Sequence, residues 1–164
     1  MTFNFETEVE LNFDFDPEET FKQAVQAVLD YAECPYEADV SLLITDENSM
    51  KELNRDMRGL DVPTDVLSFP MSEYDSPADF DALENNDDAF DPDSGELMLG
   101  DIVLCADRVI SQAADFGHSK KREYAFLIVH SMLHLIGFDH IEEADRVLME
   151  SHQQKIMNQL NILR

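Results

Sequence analysis

From Ala125 to Ile136 the chain reads AFLIVHSMLHLI. Wound into a helix, that run has almost no polar face. A helix apolar on nearly all sides has to be covered on nearly all sides. The segment therefore predicts the central element of the fold, with Ser119 as its N-cap and Gly137 as its end. With 164 residues, 44% of them hydrophobic, the chain has enough material for one such core. A single domain over 1–164 is predicted.

The flanking segments supply the cover. Phe3, Phe5, Thr7, Val9, Leu11, Phe13 and Phe15 alternate with mostly polar or acidic residues, which predicts a strand with one buried face. Its acidic outer side would guard a sheet edge. Asp16-Pro17 opens a helix with Phe21, Val25, Val28 and Leu29 as its stripe. A strand over 38–45 follows. Asp46 then caps a helix carrying Met50, Leu53 and Met57 that ends at Gly59. Short strands are predicted at 65–69 and 97–104, and a helix from Ala106 to Phe116. Asp139 is expected to cap a last helix, with Glu142 completing a capping box and Val147, Leu148, Ile156 and Leu160 facing inward. The order β-α-β-α-β-β-α-α-α predicts an α+β fold: a mixed four-stranded sheet covered by about five helices.

Residues 73–96 differ in composition, with ten acidic residues, no basic ones and two prolines. They predict a long, mobile surface loop. The spacing of Asp87, Asp88, Asp91, Asp93 and Gly95 does not match an EF-hand loop.

The central helix also carries chemistry. His130 and His134 are four residues apart, so both imidazoles leave one face, a turn apart. Gly137 allows the chain to turn back, and His140 can close on the same point. Three neutral imidazoles leave a tetrahedral ion one open position. The pattern predicts a divalent metal, zinc by first choice, one per chain, on His130, His134 and His140. The spacing HxxxHxxGxxH is shared with metzincin peptidases. Those enzymes need a glutamate after the first histidine, and Ser131 stands there, so peptidase chemistry is not supported. His118 and His152 stand apart and are expected to be surface or capping residues.

A second cluster lies upstream, with Arg55 and Arg58 ahead of the run DVPTDVLSFP. Arg58, at a helix end, could salt-bridge to the acidic surface or offer a forked donor to a phosphate. Net charge bears on that choice. Eleven basic residues face thirty-six acidic ones, for a net of -25. This argues against strong independent binding to nucleic acid. Lys51, Arg55 and Arg58, with Lys120, Lys121 and Arg122, could line one basic cleft or simply be two solvated helix ends. No apolar run is long enough for a membrane span and the start is not a secretory signal, so a cytoplasmic protein without membrane contact is expected. Cys34 and Cys105, far apart, are expected as reduced thiols.

RGLDVPTDVLSFP, LGDIVL and HSMLHLIGFDH, in this order and spacing, resemble the YbeY family of metal-dependent endoribonucleases. The resemblance runs from about Val40 to the final helix. It implies a zinc-dependent, single-strand-type endoribonuclease in 16S ribosomal RNA 3′-end maturation and ribosome biogenesis. It carries the zinc ligands onto His130, His134 and His140, and the family's arginine onto Arg58. That favours the phosphate-binding role. Arg58 and His134 are then the catalytic candidates, and Arg55, Lys120, Lys121 and Arg122 candidate RNA contacts. Ribosomal RNA and ribosomal or ribosome-associated proteins are the implied partners. Asp139 could cap the last helix or orient a ligand histidine from behind. Two positions depart from the motif: Ser131 replaces the usual glycine, and Phe138 a frequent tyrosine. The alternative reading is a metal-stabilised ribosome-assembly or RNA-binding factor with little nuclease activity, since no obvious general base accompanies the metal.

Overall fold

The computed structural model describes residues 1–162. Its elements follow the predicted order: β1 (Thr2–Thr7), α1 (Pro17–Tyr31), β2 (Ala38–Thr45), α2 (Glu47–Arg58), β3 (Val66–Pro70), β4 (Leu97–Cys105), α3 (Ala106–Phe116), α4 (Lys120–Leu135) and α5 (Glu143–Leu160). The strands lie in the order β1-β2-β4-β3. β1 with β2 and β2 with β4 are parallel, and β3 runs antiparallel to β4. The result is a single small α+β domain with a mixed four-stranded sheet and five helices, as expected.

α4 is the central element. It packs against α1, α3, α5, β3 and β4. That explains why ten of its sixteen residues are buried. The main core lies between this helix layer and one face of the sheet. On the other face α2 closes a smaller cluster of Met50, Leu67, Val103 and Cys105. The predicted caps form: Asp46 accepts from Ser49 N at 2.8 Å and Ser119 from Arg122 N at 3.1 Å. Cys34 and Cys105 are free, the first half-buried and the second buried.

Four expectations need correction. β1 is an edge strand, but it stops at Thr7, where its partner β2 runs out at Thr45. The alternation beyond it reports burial rather than pairing. Phe13 and Phe15 stack on each other, with ring centroids 4.8 Å apart, and lie on Tyr124 of α4. α5 begins at Glu143 with no side-chain cap; Asp139 instead accepts from Ile141 N at 3.3 Å. The inward face of α5 is Met149, Gln153, Ile156 and Met157, while Val147 and Leu148 are 55% and 46% exposed.

Residues 73–96 are not a loose loop. They contain two 3-10 turns, Phe80–Leu83 and Asp87–Ala89, with Phe80, Leu83 and Ala89 buried. Ala78 N donates to Ile136 O at 2.8 Å, and Tyr74 packs edge-on against Phe80. Seven of the ten acidic residues are exposed, Glu96 pairs with the N-terminal ammonium and Thr2, and a few apolar residues anchor the segment to the body.

Candidate metal centre

The site is built at the C-terminal end of α4, where the helix dipole favours a cation. His130 and His134 project one turn apart. Their Nε2 atoms are 3.2 Å from each other. Gly137 then takes φ +105°, and Gly137 N and Phe138 N close the turn on His134 O and Leu133 O. A Cβ on Gly137 would lie 2.8 Å from Tyr74 Cβ. Glycine is therefore required by conformation and by space together. The reversed chain brings in His140, whose ring centroid lies 4.9 Å from that of His134 and 5.6 Å from that of His130. One nitrogen from each ring falls within 4.8 Å of the others.

The protonation states suit a cation. His134 Nδ1–H donates to Phe138 O at 2.9 Å, so its Nε2 carries a lone pair. The Gln153 amide lies beside His130 and favours a proton on its ring. Two lone pairs facing each other at 3.2 Å repel unless a proton or a cation sits between them. Burial, then the positive form of His130, pushes the His134 pKa down to about 4; burial likewise lowers that of His130. Both rings are therefore neutral near pH 7, as metal ligands must be. The donor set can hold a divalent ion.

These rings form part of an open cleft of about 650 Å³, whose walls also carry Arg58, Asp65, Ser68 and Tyr74. Arg58 is exposed and, among the described residues, has no salt bridge, so the acidic surface does not claim it. Asp139 lines the cleft between two residues of the ligand loop and holds the turn at His140. Ser131 is fully buried, its hydroxyl hydrogen-bonded to that of Ser68 on β3. Phe138 packs its ring on His152, which is bonded to the Tyr31 hydroxyl at 2.6 Å.

The other basic residues lie elsewhere. Arg55 pairs with Asp56, and Arg122 donates to Ile162 O at 3.0 Å. Lys120 and Lys121 stand at the opposite end of a sixteen-residue helix, roughly 14–21 Å along its axis from His130 and His134. Of the basic residues, Arg58 lines the cleft. His118 and His152 are half-buried rather than fully exposed, and His118 is bonded at 2.8 Å to Glu123, which is 1% exposed.

Gln153 is the site residue that the sequence did not suggest. It is 4% exposed and also donates to Phe126 O at 3.3 Å. Its signal was a polar residue four positions after Met149, inside the true apolar stripe of α5.

A family model described as "Endoribonuclease YbeY" matches residues 3–161. The chain belongs to this family. Relatives of that name include a protein from Lachnoclostridium phytofermentans, 52% identical, and one from Agathobacter rectalis, 51% identical, each covering the whole of both chains. A solution structure from Thermotoga maritima shares the fold, with a TM-score of 0.59 and 22% identity over 97% of this chain and 89% of that one. Among the family's motifs, the histidine segment supplies the convergent donors and the PTDVLSFP segment one wall of the cleft.

Proposed function

We propose that the chain is a zinc-dependent endoribonuclease that cleaves single-stranded ribosomal RNA, including the 3′ end of 16S RNA, during ribosome biogenesis in the cytoplasm. The observation that carries this reading is the cleft itself, where three convergent imidazole nitrogens share a wall with an unpaired guanidinium. His130, His134 and His140 would hold the ion. When bound, it supplies Lewis acidity and lowers the pKa of a coordinated water. Arg58 binds the phosphodiester and offsets the negative charge that grows on its oxygens in the transition state. Gln153 and Phe138 O orient His130 and His134.

A second reading has one observation in its favour. Lys120, Lys121, Arg122 and Arg55 do not line the cleft, so little positive charge guides RNA to it. An assembly factor delivered to RNA by ribosomal proteins would tolerate this.

Purified protein given structured ribosomal RNA separates the two. Under the nuclease reading, cleavage stops with a chelator and returns with zinc. It falls about 10²- to 10³-fold in Arg58→Ala, the scale for losing one electrostatic donor. Cleavage that survives both His134→Ala and Arg58→Ala would be contamination and would sink the assignment. Intact RNA in every preparation, with ribosome binding retained, would select the assembly factor.

A further inference from the structure

The reaction proposed above needs a group to take a proton, and the usual position for it is closed. Ser131 follows the first histidine but is buried and bonded to Ser68. The histidine lone pairs point at one another and are committed to the cation. Among the residues lining the cleft, two are carboxylates, Asp65 and Asp139. Asp139 sits exposed on the ligand loop, with one oxygen engaged by Ile141 N.

Asp65 is placed differently. It is half-buried where the chain enters β3, and its carbonyl accepts from Cys105 N of β4 at 2.9 Å. Its Oδ1 accepts from Val66 N at 2.8 Å and from the Thr64 hydroxyl at 3.4 Å. Its Oδ2 accepts from Gln112 Nε2 at 3.4 Å. That same amide nitrogen donates to Glu123 Oε2 at 2.9 Å, and Glu123 Oε1 is bonded to His118. Gln112 therefore spends both amide protons on carboxylates and cannot flip, since its oxygen would then face two acids. The chain His118–Glu123–Gln112 fixes Asp65 from behind. The Gln112 contact is long, which leaves Oδ2 free acceptor capacity. The carboxylate and His130 line the same cleft.

We infer that Asp65 is the general base of the cleavage reaction, with Gln112 as its positioning residue. The inference rests on the nuclease reading. An attacking water gives one proton to Asp65 Oδ2 while its oxygen bonds to phosphorus. The bond from phosphorus to the leaving ribose oxygen breaks with its electron pair, and that oxygen takes a proton from solvent at the open mouth. Asp65 then releases its proton to solvent. Arg58 holds the phosphate throughout.

The test uses zinc-loaded full-length protein and an RNA with one cleavage site. Asp65→Asn is expected to lower kcat by about 10²-fold or more, the scale of a positioned base, with KM and zinc per chain unchanged. Its rate should also climb about tenfold per pH unit where the parent has levelled off, because solvent hydroxide replaces the missing base. Gln112→Met keeps the carboxylate but frees it, and kcat should fall about tenfold at constant zinc content. Asp65→Asn at the parent rate and with the parent pH profile would overturn the inference. So would 2′,3′-cyclic phosphate ends, since the attacking oxygen would then belong to the RNA. If Asp65→Asn loses zinc, Gln112→Met decides: reduced kcat supports the inference and parental kcat overturns it. A parent that does not cleave, or cleavage that survives His134→Ala, is instead a failure of the nuclease reading.

Discussion

Two helices bring their C-terminal ends to the cleft, and they do so in opposite ways. α4 ends under cover: its last turns are buried, His134 is bonded to Phe138 O, His130 lies beside the buried Gln153, and the terminal glycine is wedged against Tyr74. α2 ends in water: Arg58 is exposed, Met57 beside it is 60% exposed, and nothing lies within 4 Å of where a Cβ on Gly59 would be. The difference matches the two tasks proposed for them. A metal site needs donors held within a few tenths of an ångström, so its ligands and their supports must be locked. A polymeric anion has to arrive and leave, and a solvated guanidinium on a free helix end can follow it.

The comparison predicts that damage to the two ends will look different. His134→Ala removes one of three donors at the locked end, and the protein should lose its stoichiometric metal. Metal analysis after dialysis would show it. Arg58→Ala should retain one metal per chain and change stability by no more than about 0.5 kcal/mol, as for an exposed unpaired side chain. Loss of metal in Arg58→Ala would mean that the two ends are one structure, and the contrast would fail.

Gln153→Leu is the next largest expected effect. It touches no RNA and is reached from α5, yet it removes the amide that lies beside His130 and favours a proton on its ring. Metal affinity should fall about 10- to 100-fold, the usual cost of losing a support behind a ligand histidine. Gln153→Glu keeps an acceptor and should recover most of that loss. A competition titration against a zinc indicator measures both. Equal weakening in the two variants would point to packing rather than to orientation.

Much of this was legible in the sequence because it follows from local rules. The order of elements, the caps Asp46 and Ser119, and the glycine that lets His140 join His130 and His134 all depend on residues a few positions apart. What was not legible depends on partners far along the chain. The alternation of Phe3 to Phe15 shows which side is buried, but only β2 decides that pairing stops at Thr7. Val147 and Leu148 look like core residues until Gln153 is seen to turn toward His130. The acidic segment reads as solvated because its few anchors, Tyr74, Phe80 and Leu83, are outnumbered. Their hold comes from the surface they meet: Tyr74 against Gly137, and Ala78 N on Ile136 O. Asp65 shows no signal of a special role until Gln112 and Glu123 are found behind it.

The smallest effects make the sharpest version of the comparison, since the same substitution can be made at both ends. Gly137→Ala forces a side chain into φ +105° and against Tyr74. The two costs together should reach about 2–4 kcal/mol, and metal affinity should weaken as the ligand loop shifts. Gly59→Ala meets strain without crowding, at φ +72° in open space. It should cost about 1 kcal/mol, and because the free end of α2 can absorb a small backbone change, metal content and RNA affinity should stay as they are. Urea unfolding of both variants, with and without zinc, measures the difference. Added zinc should stabilise Gly59→Ala as much as the parent and Gly137→Ala less. If zinc stabilises the two variants equally, the turn at Gly137 does not set the position of His140, and the locked end of the cleft must owe its geometry to Gln153 and Phe138 O alone.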